Sequence, residues 1–79
     1  MARIVSHGNP YENLANMIIL TAVEDYRNAL SRFSKNPDSK DAQANVAELE
    51  RFFRSRWYSV LTPVEGEFLL RKIRAEYDL

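Results

Sequence analysis

The residues best suited to binding chemistry lie between Arg51 and Leu61, in the stretch RFFRSRWYSVL. Three arginines and four aromatic residues fall within eight consecutive positions of it. Arginine binds phosphate through two parallel hydrogen bonds and stacks on aromatic rings, so this mixture is typical of nucleotide pockets and nucleic-acid grooves. The last turns of a buried amphipathic helix have the same composition. The residues that share a helix face therefore decide between these interpretations.

Helical geometry, with ~100° per residue, divides this stretch into two faces. The apolar face carries three rings that we expect in the core: Phe52, Phe53 and Trp57. The opposite face carries Arg51, Arg54 and Tyr58, which we call the outward strip. We predict that the outward strip is the binding surface. In a nucleotide-binding version its arginines would contact phosphate, and Tyr58 or Trp57 would stack on a base.

The arginines of this stretch also have a structural explanation. Basic residues near a helix C-terminus interact favourably with the helix dipole, and Glu50–Arg54 is an i,i+4 ion pair. The outward strip is therefore either a binding surface or a solvated helix face, and both interpretations stay open. Arg56 projects toward the apolar side, where we expect its guanidinium to need a carboxylate such as Asp25.

Catalytic chemistry finds little support in the sequence. The single histidine, His7, would have to activate a serine such as Ser6 in a flexible segment, whereas a general base must be held close to its target. Glu24 and Asp25 are adjacent on a helix and point ~100° apart, so their carboxylates do not converge. One histidine and no cysteine cannot form a structural zinc site, and no glycine-rich phosphate loop is present. We predict no catalytic residue, no metal site, no cofactor and no enzymatic activity.

Size and charge restrict the remaining classes of function. A chain of 79 residues forms one domain and buries only ~60% of the surface that its unfolded form exposes. Without disulfides or a metal, self-association is the remaining way to complete so small a core. Eleven basic and eleven acidic residues cancel, which argues against a protein that coats nucleic acid. We therefore expect the chain to associate with itself. Nucleic-acid binding is kept as the alternative function of the chain.

Three prolines indicate three helix starts, because proline is tolerated at the first helical position and follows a capping residue well. Asn9–Pro10 and Thr62–Pro63 are each followed by a glutamate at capping-box spacing. Asn36 or Ser39 caps the remaining start. Gly66 falls in the first turn of the third helix, where tolerance of glycine is a simpler interpretation than a close approach between helices.

Apolar residues recur at helical spacing through each segment, and no segment alternates as a strand does. We predict three helices, at residues 10–34, 39–60 and 63–78. The predicted fold is an all-α three-helix domain, residues 9–79, with an antiparallel helical hairpin, a C-terminal helix and completion by oligomerisation. Residues 1–8 are predicted to be a flexible N-terminal arm.

No stretch approaches the ~20 apolar residues of a membrane span, and the N-terminus lacks a signal-peptide pattern. We therefore expect a cytoplasmic protein with no membrane partner. The stretch LTPVEGEFLLRKIRAE (61–76) is similar to helices that open DNA-binding units. Such a unit needs a further recognition helix, and side chains suited to base edges are lacking, so this stays the alternative interpretation.

Three blocks, AVEDYRNAL (22–30), ERFFRSRWYSVLT (50–62) and EGEFLLRKIRAE (65–76), give the chain a likeness to a known family. It resembles small helical proteins encoded by phages and integrative elements of Gram-positive bacteria. The resemblance implies an accessory gene product of the bacterial cytoplasm and assigns no role to a particular residue. Such products often bind a host defence protein or sequester a signalling nucleotide.

The sequence thus predicts a non-enzymatic binding module that acts through a helix face. The expected partner is a host protein, with a signalling nucleotide as a second possibility. A small nucleic-acid-binding accessory or regulatory protein is the alternative. The residues assigned to binding are Arg51, Arg54 and Tyr58.

Overall fold

The computed structural model describes residues 10–79, and this part of the chain is helical without strands. Four helices follow one another: α1 (Pro10–Lys35), α2 (Lys40–Phe53), α3 (Arg56–Leu61) and α4 (Gly66–Ala75). The all-α prediction is confirmed over this range, whereas the predicted number of helices is wrong. The predicted arm at residues 1–8 and the cap at Asn9 lie outside the described residues.

The turn between α1 and α2 is formed by residues 36–39, as the polar stretch after the first helix predicts. The N–H of Asn36 still bonds the carbonyl of Arg32, and the N–H of Ser39 bonds the carbonyl of Asn36. Ser39 has extended backbone, and its hydroxyl accepts a hydrogen bond from the N–H of Ala42 at 3.2 Å. Of the two candidate caps, Ser39 is therefore the one that begins α2.

The single helix predicted for residues 39–60 is broken at Arg54 and Ser55. Ser55 has extended backbone, with φ −80° and ψ 159°. Its hydroxyl accepts from the N–H of Tyr58 at 3.1 Å and donates to the carbonyl of Phe52 at 2.7 Å. A serine side chain that bonds nearby backbone groups competes with the helical ladder, which is why one helix ends here and a new one begins.

The last helix begins at Gly66 rather than at Pro63, so the predicted capping box does not form. Thr62 instead closes a short turn by accepting from the N–H of Val64 at 3.2 Å. Gly66 passes directly against the end of α2: a Cβ added there would overlap the carbonyl oxygen of Phe53 and lie 2.9 Å from its carbonyl carbon. Gly66 is thus required for a close approach, and the simpler interpretation as a tolerated glycine is wrong.

The core lies where the C-terminal two thirds of α1 meet the other three helices. Its largest fully buried side chains are Tyr26, Leu30 and Phe53. Tyr26 and Phe53 pack with ring centroids 5.8 Å apart, and Tyr58 of α3 packs on Phe53 at 5.5 Å. Leu70 and Ile73 of α4 complete the cluster. α1 is the common wall of this core, which leaves its N-terminal turns beyond the packed region.

Candidate functional site

The outward strip predicted from the sequence does not exist as one surface. Tyr58 is buried, with 2% of its surface exposed, and its ring packs against Phe52 and Phe53. Arg51 is exposed, as predicted, and forms no ion pair with a carboxylate among residues 10–79. The outward placement of Tyr58 is wrong because the break at Ser55 changes the helical phase, so that angles counted along α2 do not apply to α3.

Arg54, the third residue of the predicted strip, is occupied by two carboxylates. Its guanidinium pairs with Glu67 of α4 and lies 3.5 Å from Glu50, one turn earlier in α2. The hydrogen bond to Glu67 raises the pKa of Arg54, and the same bond lowers the pKa of Glu67. The predicted Glu50–Arg54 pair is confirmed. Arg54 therefore links α2 to α4. Its guanidinium N–H groups, which would bind a phosphate, are directed at these carboxylates instead.

Trp57 was expected in the core and lies on the surface, with 56% of the residue exposed. The edge of its ring contacts Phe52 at a centroid distance of 5.7 Å. Val60, one turn later in α3, is 76% exposed. We call these two residues the α3 face. The expected core positions of Phe53, which is buried, and Phe52, which is half-buried, are confirmed.

Arg56 is exposed as the first residue of α3. The ion pair expected between Arg56 and Asp25 is absent from the part of the chain that the structure describes. The cause is again the break at Ser55, which turns Arg56 away from the apolar side. Arginine beside an exposed tryptophan is typical of protein interfaces, in which both residues are enriched.

The sequence carries one signal of the break that precedes α3. Ser55 stands three residues before Tyr58, which is the spacing at which a serine caps a new helix. In a helix that restarts after Ser55, the directions of Trp57 and Tyr58 are no longer fixed by the faces of α2. The two side chains still point about 100° apart from each other. The sequence pattern alone does not show which of these two rings faces the core, because both lie in an uninterrupted apolar periodicity.

A polar network joins three helices below the α3 face. The hydroxyl of Tyr26 donates to Glu50 at 2.6 Å, and the guanidinium of Arg74 donates to the same carboxylate oxygen at 2.5 Å. Burial and the bond to Glu50 raise the pKa of Tyr26 to about 12. Glu50 therefore holds α1, α2 and α4 together, and its contacts indicate a structural role rather than a catalytic one.

Several open grooves border the described helices, and two of them differ clearly in charge. The first, between α1 and α2, has a volume of about 680 Å³ and mixed charge. It is lined by Asp25, Asn28, Ser31, Arg32, Asn45, Glu48 and Leu49. Its two carboxylates facing one guanidinium make it unsuitable for a phosphate-bearing ligand.

The second groove lies between α1, α3 and α4, is mostly apolar and measures about 310 Å³. We call it the apolar groove; it is lined by Asn16, Ile19, Leu20, Tyr58, Thr62, Val64 and Leu69. The hydroxyl of Tyr58 is buried and has no hydrogen-bond partner. Burial raises the pKa of this hydroxyl, which stays a neutral donor. An unpartnered buried hydroxyl is uncommon in folded proteins.

Residues 10–79 contain no group of three His, Cys, Asp or Glu side chains that could hold a metal ion. His7, which the sequence singled out for its chemistry, lies outside the described residues. No helix in the described range has the length and apolar character needed to cross a membrane. Comparisons of the chain with protein-family models, with curated proteins and with solved structures found no match. The function must therefore be argued from the surfaces described above.

Proposed function

We propose that this chain is a non-enzymatic helical module that binds another protein through the α3 face. The observation that carries the proposal is the exposure of Trp57 and Val60, at 56% and 76%, on neighbouring turns of one short helix. Tryptophan is the residue most enriched among side chains that dominate binding energy, and exposed apolar side chains in a group mark interaction sites. The ring of Trp57 is held by Phe52, so little side-chain freedom is lost on binding.

Exposed arginines occur close to the α3 face in the chain. Arg56 precedes Trp57 in α3, and Arg51 lies in the last turn of α2; both are exposed. An apolar centre with a polar rim is the usual anatomy of a protein interface. This surface accommodates a partner with an apolar patch bordered by acidic or polar groups. In this proposal Arg51 keeps a binding role at the rim, whereas Arg54 and Tyr58 support the fold.

The structure offers less to a nucleotide or nucleic acid. Of the residues assigned to a nucleotide, Arg54 is paired with carboxylates and Tyr58 is buried. We therefore propose a protein target ahead of a signalling nucleotide, and nucleic-acid binding remains the alternative function. From the resemblance of the sequence blocks we also propose a phage or mobile-element origin, a place in the bacterial cytoplasm and a role in antagonising a host protein. Self-association of the chain is part of the same proposal.

The test uses the single tryptophan of the chain as its own reporter. Native mass spectrometry of the protein purified from its host lysate identifies a candidate partner, which is then produced pure and titrated. We expect one saturable complex, with the Trp57 emission shifting to shorter wavelength as its ring leaves water. Trp57→Ala, followed by calorimetry, should raise the Kd about 30-fold or more.

Phe68→Ala is the matched control, because Phe68 is also an exposed aromatic residue but lies on α4. It should change the Kd less than twofold. A partner that binds Trp57→Ala and the unaltered chain equally well would contradict the proposal. Capture of nucleic acid with a steep salt dependence, instead of a protein, would favour the alternative function.

A further inference from the structure

The N-terminal half of α1 lies outside the core. None of the residues from Asn13 to Thr21 is buried, and Ala22 is the first buried residue after them, although Ile19 packs against the core. α1 has 26 residues, or about 39 Å of helix, and the described chain is 47 Å in its longest dimension. The helix therefore spans most of the longest dimension of the described chain.

This half of α1 is nevertheless mostly apolar. No charged side chain occurs between Glu12 and Glu24. Leu14, Met17 and Leu20 are 57%, 65% and 65% exposed. With ~100° per residue, neighbours in this set of three point about 60° apart, on the sides of α1 away from Tyr26. Large apolar side chains grouped on a surface are typical of a segment that a partner covers.

The apolar groove begins at the same place. Ile19 and Leu20 form its α1 wall, and Val64 and Leu69 lie on the opposite side. At about 310 Å³ it has room for an aliphatic side chain of a partner. Its ligand must therefore be a segment with aliphatic side chains.

We propose that the apolar groove is filled by the N-terminal half of α1 from a second copy of this chain, and that the contact is reciprocal. That segment has the required chemistry, because it presents Leu14, Met17 and Leu20 as exposed apolar side chains. Since the helix half and the groove are adjacent in one chain, a two-fold axis brings each helix half onto the groove of the other copy. Such a dimer is closed and leaves neither surface uncovered.

The available area is sufficient for a stable dimer. An unfolded chain exposes ~170 Å² per residue. On that basis, the exposed surface of residues 13–21 and of Val64 totals roughly 600 Å² per copy, or roughly 1,200 Å² for two copies. Specific interfaces bury ~1,000 Å² or more in total. The dimer also supplies the stabilisation that a small chain without cysteine lacks.

Sedimentation velocity across a concentration series tests the dimer. We expect a species of twice the 9.2 kDa chain mass that dissociates on dilution. Met17→Lys should raise the dimer Kd at least 100-fold without loss of helical circular dichroism, because Met17 is exposed in the single chain. Val60→Lys, an equally apolar and exposed position on α3, is the control and should leave the dimer intact.

Engineered cysteines test the placement, since the chain has none of its own. Mixing the Met17→Cys chain with the Val64→Cys chain under mild oxidation should give a mixed disulfide, whereas Met17→Cys with Val60→Cys should not. Trp57 emission should stay constant through dissociation of the dimer, which keeps this interface distinguishable from the target-binding α3 face.

Three outcomes would overturn the proposal. The first is a monomer at every concentration, and the second is a dimer that survives Met17→Lys. The third is a wild-type monomer that dimerises only after removal of residues 1–9, since that segment would then be what covers α1. The dimer rests on the self-association included in the proposed function, so a monomer at every concentration would remove that part of it as well. None of the three results bears on whether Trp57 binds a target, so the α3 face is tested separately.

Discussion

Trp57 and Tyr58 are neighbours in the chain and lie in opposite environments. Tyr58 fills the space between Phe52 and Phe53, whereas Trp57 contacts only the outer edge of Phe52 and remains in water. A helical periodicity assigns residues to faces only while the helix is continuous. One serine that caps a new helix was enough to exchange the environments expected for the two aromatic residues, and with them the position of the proposed binding surface.

Gly66 gives the clearest residue-scale prediction. At an ordinary helix position, Gly→Ala stabilises by up to ~1 kcal/mol. Here the added Cβ would meet the backbone of Phe53, which cannot move aside as a side chain can. We expect Gly66→Ala to lower the free energy of unfolding by about 2 kcal/mol, as measured by urea denaturation.

The control for Gly66→Ala is Glu65→Ala, at the neighbouring exposed position whose side chain makes no cap hydrogen bond. It should change the free energy of unfolding by less than about 0.5 kcal/mol. An increase in stability for Gly66→Ala would show that α4 does not approach the end of α2 as closely as described.

At the scale of elements, the break between α2 and α3 creates the geometry of the α3 face. It allows Tyr58 to enter the core while α3 presents Trp57 to solvent. The caps at Ser39 and Ser55 work in the same way, each with a hydroxyl that accepts from the N–H three residues later. From the sequence, Ser39 was one of two candidate caps, together with Asn36, and Pro37 marked that start. Ser55 is surrounded by arginine and aromatic residues that continue a helical pattern.

Ser55→Ala tests the importance of this break. The substitution removes the cap on the N–H of Tyr58 and the bond to the carbonyl of Phe52. We expect a loss of about 1 kcal/mol in the free energy of unfolding. Trp57 emission should also shift in the folded protein, because the orientation of α3 depends on this cap.

Ser59→Ala provides the comparison, since Ser59 is exposed and its hydroxyl bonds only the carbonyl of Arg56 within α3. Its effect should be smaller than about 0.5 kcal/mol, with no change in emission. Equal effects of the two serine variants would mean that the break does not depend on the Ser55 cap.

For the whole molecule, the half-buried carboxylate of Glu50 connects the helices. Its side chain is 16% exposed and receives hydrogen bonds from Tyr26 and Arg74, on α1 and α4. The other links between distant helices, such as Arg27–Glu76, are exposed and contribute little. The position of α4 against α1 and α2 therefore depends on one carboxylate together with the apolar core.

Removal of this carboxylate should destabilise the entire fold. Glu50→Ala leaves the Tyr26 hydroxyl and the Arg74 guanidinium without their shared acceptor. We expect the free energy of unfolding to fall by about 2 kcal/mol. This is less than for a fully buried pair, because Arg74 is partly solvated. Thermal and urea denaturation measure the loss. Glu48→Ala, on the exposed side of α2, should be nearly neutral. Similar destabilisation by both variants would contradict the structural role of Glu50.

The sequence by itself determined the helical class, the start of α2 after a cap at Asn36 or Ser39, and the core position of Phe53. These features depend on local spacing and on side chains that bond the nearby backbone, so they can be read along the chain. The tertiary structure decided where α2 stops, why Gly66 must be glycine and which ring of the Trp57–Tyr58 pair is buried. These features depend on how one helix meets another in space. The α3 face belongs to the second group, because a surface consists of the side chains that the packing of the core leaves exposed.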